Sequence, residues 1–303
     1  MKSAPLYAMT VLTGGLVWFA TKFQLGTVPL EVSLIYRFGV AGLLMVGLAA
    51  ALGHPLKFSV AVHASLTLFG ALVFAGNFVL LYAAIQNLTS ALVAIIFSTS
   101  VLMNIVFSAV FLGREIEIRM IVGALLGLCG LVLVFHRELL EVDLGNVRTL
   151  AILQALGATM LFSLGNIISA RLQAERIPAL VSTAFGMGYG TILLALYAIV
   201  GGKPFVFETS MGYVLSLVYL TIFGSVIGYG TYFTLIGRIG PERTAYTTVM
   251  VPALALAVST VFEGFTWSVA VLAGVVLILG GNAVILAMRA PAGDERQNGE
   301  VLD

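Results

Sequence analysis

Apolar residues run along this chain in long blocks that polar residues interrupt only briefly. Ten such blocks stand out, at approximately 4–21, 31–52, 62–85, 90–112, 118–135, 148–170, 179–200, 212–236, 244–262 and 267–288. Each is about 20 residues long and nearly free of charge, enough to cross a hydrocarbon core of about 30 Å as a helix. The links are short, and most carry Gly, Pro, Asn or a charge, as at Gly26–Pro29, Gly53-His54-Pro55, Gly201–Pro204 and Gly240-Pro241. Those are turn signals. The third and fourth blocks, joined by Gln86-Asn87-Leu88-Thr89, predict a helical hairpin. The pattern as a whole predicts an all-α polytopic membrane protein with ten transmembrane helices. The tail, residues 291–303, is polar and is expected to be disordered.

The blocks repeat. The stretch from Gly76 to Gly123 has a counterpart at Tyr229 to Gly274, and within it Tyr82 to Leu112 corresponds to Tyr232 to Gly264. Each piece holds an aromatic-bearing helix end, a tight polar link, a span with small and hydroxyl residues, and an acidic hinge. The hinges are Leu112-Gly113-Arg114-Glu115 and Phe262-Glu263-Gly264, and Ser100 falls opposite Pro252. The longest polar link, His136–Val147, divides the chain into two five-helix units, residues 1–145 and 146–290. Five is odd, so the units are predicted to have opposite orientation. Inverted repeats of this kind build secondary transporters, with the substrate near the midplane between repeats.

Charge sets the orientation. One side carries Lys2, Lys57, Arg114, Arg119, Arg171, Arg176, Arg238, Arg243, Arg289 and Arg296, the other only Lys22, Arg137, Arg148 and Lys203. Both termini are therefore expected in the cytoplasm.

Composition agrees with a lipid environment. Of the residues 60% are hydrophobic and 10% charged, with a mean hydropathy of +1.09, whereas soluble domains carry about 25% charged residues. A net charge of +1 gives no case for nucleic acid. The single cysteine, Cys129, cannot form an internal disulfide and is read as a small packing residue. The first block is read as a span, not a cleavable signal, because nine more follow.

Two five-helix repeats, Trp18 in the first span, Arg37-Phe38 early in the second and the Leu-Gly-x-Glu hinge after the fourth resemble the EamA-type branch of the drug/metabolite transporter superfamily. The resemblance covers about residues 4 to 288. Within that branch the chain is most similar to the bacterial YddG-type amino-acid exporters. The resemblance implies a ten-helix basket with both termini inside. Spans 1–4 and 6–9 would line a central cavity, and spans 5 and 10 would lie outside it. One departure is Ser100, where the family often has a proline; the second repeat keeps Pro252.

The polar residues are distributed accordingly. Spans 5 and 10 hold only Cys129 and Asn282 mid-membrane, and their glycines allow close packing. Elsewhere polar and aromatic residues recur at spacings that share a helix face. Examples are Phe78, Tyr82 and Gln86; Ser100, Asn104 and Ser108; Thr159, Ser163 and Asn166; Ser225, Tyr229 and Tyr232; and Thr244, Thr248 and Pro252. The candidate substrate-binding residues are Trp18, Asn77, Phe78, Tyr82, Thr99, Ser100, Asn104, Ser163, Asn166, Tyr229, Tyr232 and Thr248. Each has a plainer alternative. A hydroxyl can bond to its own helix, an amide can bridge two helices, and an aromatic stripe can face lipid. Trp18 can be cavity wall or interface anchor. Arg37 can snorkel outward or line the pore.

Some chemistry is absent from the spans. The eleven Glu and three Asp lie in loops, at span ends or in the tail, and His54, His63 and His136 lie near ends. No metal cluster, phosphate-binding loop or nucleophile–base constellation is present, so no cofactor and no enzymatic activity are expected. Proton- or sodium-driven transporters usually keep a buried carboxylate or His. The expectation is therefore a bacterial inner-membrane exporter of small amphipathic metabolites. The resemblance suggests amino acids, including aromatic ones, carried through a neutral cavity by alternating access as uncoupled facilitated diffusion. The alternatives are a proton-coupled exporter, another cargo such as a nucleotide sugar or drug cation, and, more remotely, a membrane-embedded enzyme of lipid metabolism. Small-molecule substrate and lipid are the partners; the oligomeric state is left open, a monomer included.

Overall fold

The structure is a computed structural model that describes residues 3–24, 26–88, 90–140, 146–262 and 267–286. The tail, the second acidic hinge beyond Phe262, Thr89, residues 141–145 and the side chains of Trp18 and Lys22 lie outside the described residues. Among those described, ten long helical rods are present: α1 (Ser3–Lys22), α2 (Leu30–Ala51), α3 (Val60–Ile85), α4 (Ser90–Ser98 continued by Ser100–Leu112), α5 (Ile118–Val134), α6 (Asn146–Ala174), α7 (Ala179–Val200), α8 (Met211–Ile239), α9 (Thr247–Phe262) and α10 (Val269–Leu286). A short helix, His136–Leu140, follows α5, and another, Pro241–Thr244, precedes α9. Six helices are long and apolar enough to cross a membrane by themselves; Ile118–Val134 is shorter, at 17 residues, and sits at the lower limit for a span. The chain is a multi-pass membrane protein.

The local signals that start and stop these helices recur at matching places. Pro29 and Pro178, extended at ψ 138° and 140°, precede α2 and α7. Proline suits this boundary because it has no N–H to lose and its φ is already helical. Ser59 and Ser210 cap α3 and α8, each accepting from the backbone N–H three residues on. The chain leaves α2 and α7 through Gly53 and Gly202, at φ +74° and +61°, where a side chain would be strained. Both α3 and α8 contain a π segment, Ala71–Gly76 and Leu220–Tyr229.

Helix packing follows the same exchange of n for n+5. α5 packs on α10 and α2 on α7; α3 packs on α6 as α8 does on α1, and α4 on α6 as α9 does on α1. The α5–α10 seam is backbone against backbone. A Cβ on Gly130 would sit 2.6 Å from the Gly274 carbonyl oxygen, and one on Gly274 would sit 2.6 Å from that of Gly130. Without side chains the two helices approach closely enough for van der Waals attraction to hold them, the main adhesive available in lipid. Cys129 is exposed beside this seam rather than packed in it, because Gly127 and Gly130 take the facing positions. The Tyr246 hydroxyl donates to the Gly123 carbonyl at 3.0 Å, fastening the outer pair to the start of α9. Tyr7 donates to Asn282 at 2.7 Å, tying α1 to α10.

Gly186 and Gly190 of α7 face Phe69, Phe74 and Gly70 of α3, so close packing accounts for them.

Candidate functional site

A cavity of about 200 Å³ lies between α1, α2, α3, α4, α6, α8 and α9. Threonines from α1 (Thr10, Thr13, Thr21) form one side, and Asn77, Phe78 and Tyr82 from α3 another. Tyr229 and Tyr232 from α8, Thr247, Thr248 and Pro252 from α9, Phe97 from α4 and Phe162 from α6 complete it. The aromatic wall is continuous: Phe97 meets Phe162 at 5.1 Å between centroids, and Phe162 meets Tyr232 at 5.6 Å. The three α1 threonines donate to their own helix, to Leu6, Met9 and Val17, so their plainer reading applies to the donor and leaves only oxygen lone pairs for the cavity. Tyr82 is shared with a wider vestibule of about 640 Å³ lined by Thr27, Glu31, Gln86, Tyr197 and Lys203. Where the vestibule lies, Glu31 pairs with Lys203 at 3.8 Å.

Several elements differ from expectation. α7 contributes no wall residue among those described, because its inner face is occupied by packing on α2 and α3. The cavity is not neutral either. Arg37, two turns into α2, is 5% exposed and lines it, so it does not snorkel to the surface. Its Nε–H donates to the Ser225 hydroxyl at 2.8 Å, and its guanidinium carbon lies 5.2 Å from the Phe38 ring centroid. Gly224 makes room for it: a Cβ there would stand 3.0 Å from Arg37 Nη2.

The π segment of α3 places Asn77. The Asn77 backbone N–H reaches back five residues to the Leu72 carbonyl. Its side-chain Nδ2 donates to the Val73 carbonyl at 3.2 Å, and its Oδ1 is buried with no partner. π turns inside α-helices are frequent at functional sites.

Of the candidate residues, Asn77, Phe78, Tyr82, Tyr229, Tyr232 and Thr248 lie on the wall. Asn104, Ser163 and Asn166 lie off it in a buried cluster. Asn104 Nδ2 donates to the Ser100 carbonyl (2.7 Å) and to Ser163 (3.2 Å); Asn166 Nδ2 donates to Asn104 Oδ1 (3.2 Å) and to the Tyr232 hydroxyl (2.9 Å). The amides therefore bridge α4, α6 and α8. Ser100 meets the Thr248 hydroxyl at 3.1 Å, and Thr99 donates back to the Ile96 carbonyl at 2.6 Å. Phe97, Phe162 and Val251 are wall residues that apolar periodicity alone does not distinguish from core.

Between this cluster and the arginine-rich end sits Glu242, in the short helix before α9. It is 6% exposed, a buried carboxylate that the Gly240-Pro241 turn signal made look like loop. Arg114 Nη1 lies 2.6 Å from one carboxylate oxygen, and the Ser108 hydroxyl donates to the other at 3.0 Å. Arg243 of the same helix pairs with Glu117 at 3.7 Å. Among the described residues no group of three or more His, Cys, Asp or Glu could hold a metal.

The EamA-like transporter family matches residues 2–136 and, a second time, residues 149–287. The chain belongs to the EamA-like transporter family. Relatives of this EamA chain include the uncharacterized transporter YvbV of Bacillus subtilis, 24% identical over 92% of the chain and 89% of the relative. The uncharacterized inner membrane transporter YedA of Escherichia coli K12 is 26% identical over 87% and 83%. A probable amino-acid metabolite efflux pump of Salmonella typhimurium is 26% identical over 70% and 73%. A solved crystal structure superposes with a TM-score of 0.79 at 21% identity, covering 93% of this chain and 95% of that one, and so has the same fold. The EamA chain is thus a membrane transporter.

Proposed function

We propose that this EamA transporter exports small amphipathic metabolites, foremost amino acids with apolar or aromatic side chains, from the cytoplasm across a bacterial inner membrane. The observation that carries this reading is the cavity itself. Helices of both halves wall it, aromatic rings line it, and two polar layers, the Asn104–Asn166–Tyr232 cluster and the Glu242–Arg114 pair, are read as shutting it toward the arginine-rich end. By the positive-inside rule the arginine-rich end is cytoplasmic, which makes this the outward-facing state of an alternating-access cycle. The halves, residues 1–145 and 146–290, act as inverted repeats that rock against each other. The recurrence of caps, π segments and packing pairs at n and n+5 supports that division. The inner-membrane relative and the amino-acid efflux pump among the relatives point the same way.

No carboxylate or His is on the cavity wall among the described residues, and transport is read as facilitated diffusion down the cargo gradient. Buried Glu242 favours one second reading, a proton-coupled exporter in which protonation releases Arg114. Purified protein in liposomes loaded with the twenty proteinogenic amino acids tests both. The first reading expects efflux of apolar members at a rate indifferent to an imposed pH gradient. Acceleration and uphill movement under a proton gradient would favour the second, and no efflux of any amino acid would overturn the cargo class.

A further inference from the structure

A guanidinium taken out of water is costly unless something neutralises it. Among the described residues Arg37 has no carboxylate partner; Ser225 takes Nε–H, and Phe38 lies beside the cation. Arginine carries five N–H donors in a planar fork, so four remain besides the one that Ser225 takes, on a side chain that lines the cavity. That fork matches a carboxylate in two parallel hydrogen bonds. The second observation is independent. Asn77, 2% exposed and on the same wall, has its Nδ2 committed to the Val73 carbonyl, which leaves Oδ1 as a buried acceptor without a donor. An orphaned acceptor of this kind is a standing cost that a bound donor removes. A cationic donor fork and a neutral acceptor, on two residues that line one aromatic-walled space, match the two ends and the side chain of a zwitterion.

Resting on the export reading above, we propose that Arg37 binds the cargo carboxylate and Asn77 Oδ1 its ammonium group, so that the cargo class is α-amino acids. Cations lacking a carboxylate are repelled by the same guanidinium.

The test uses the full chain in liposomes loaded with the twenty amino acids, with 3-phenylpropionate and phenethylamine as probes that each lack one end of phenylalanine. Arg37→Gln should lower efflux of every transported amino acid about tenfold to a hundredfold, the loss of a charged hydrogen-bond pair. Arg37→Lys should fall between, since the charge stays and the fork is lost. Gly224→Ala, which crowds the guanidinium without removing it, should lower efflux while the protein elutes as the wild type does. 3-Phenylpropionate should inhibit the wild type and not Arg37→Gln; phenethylamine should inhibit neither. Asn77→Leu should weaken amino-acid efflux and leave inhibition by 3-phenylpropionate intact. Should the wild type move no amino acid while 3-phenylpropionate still raises its melting temperature, and not that of Arg37→Gln, the export reading fails and the role of Arg37 stands. Equal efflux by Arg37→Gln and wild type, or stronger inhibition by the amine than by the acid, overturns the proposal.

Discussion

The Ser98 hydroxyl donates to the Thr248 carbonyl at 3.3 Å, across the boundary between the two halves of the chain. That carbonyl lacks its helical donor because the residue four positions on is Pro252, which has no N–H. α4 breaks at the opposite position without a proline: the Thr99 backbone N–H reaches back only three residues to Ile96, and its hydroxyl bonds the same carbonyl. Ser100, opposite Pro252, therefore does not straighten the helix. Pro252→Ala would give Thr248 a donor within its own helix and remove the need for Ser98. Unchanged or raised melting temperature with reduced amino-acid efflux is expected; full efflux would mean the bend is not needed. Ser98→Ala should cost about 1 kcal/mol, the usual worth of one such bond, read from denaturant or thermal unfolding.

Glu242 is buried at the arginine-rich end and joins Arg114 to Ser108. Replacing it by Ala leaves Arg114 and Ser108 without their shared partner. A fully buried pair broken in this way costs about 3–5 kcal/mol, but the Arg114 side chain is 39% exposed and water screens part of that loss. About 1–2 kcal/mol of destabilisation is expected, checked by thermal unfolding in detergent.

Wall and cluster residues should respond differently. Tyr82→Ala removes a ring from the cavity wall and should reduce efflux severalfold at near-normal melting temperature. Asn104→Ala deprives Asn166 of an acceptor and Ser163 of a donor in a buried cluster. That should lower stability by about 1–3 kcal/mol, visible as a lower melting temperature before any effect on cargo affinity.

Gly130→Val should be among the most damaging single changes outside the cavity. The added atoms meet the Gly274 carbonyl and the Ile278 side chain, so the α5–α10 seam must open. A loss of roughly 1–3 kcal/mol or more is expected for such overpacking, against near neutrality for the adjacent, exposed Cys129→Ala. Yield and melting temperature in detergent report both.

Orientation is checked with single cysteines in a Cys129→Ala background. Asn87→Cys, exposed in the α3–α4 link, should react with an impermeant thiol reagent added to whole cells, and Arg176→Cys, in the α6–α7 link, should react only after lysis. The reverse pattern would invert the transport direction proposed above.

Much of this architecture was legible in the order of residues. Span 2 was expected at 31–52 and is Leu30–Ala51; span 7 was expected at 179–200 and is Ala179–Val200. Apolar length is dictated by bilayer thickness, so it is written plainly. What faces what was less legible. Asn104, Asn166 and Ser163 share polar character with Asn77, but only three-dimensional neighbours decide that the first three bond to one another off the wall while Asn77 lies on it. Arg37 could have reached the surface along its own stem; Ser225 and the missing Cβ of Gly224 hold it inward. Glu242 was hidden by Gly240-Pro241, where the proline begins a helix rather than continuing a loop.

The π turn of α3 is, in genetic terms, a single-residue insertion absorbed without lengthening the span. Because Asn77 closes onto Leu72, every residue after it is turned by about 100° relative to an uninterrupted α-helix. Leu66 and Phe69 thus belong to one helical frame and Phe78 and Tyr82 to another: all four touch the same core, but only the second pair also lines the cavity. A one-codon deletion in Ala71–Gly76 would leave a span still long enough for the bilayer, yet would merge the two frames and swing the wall residues off the cavity. The thickness of the membrane and the shape of the binding space are therefore encoded separately within the same 26 residues.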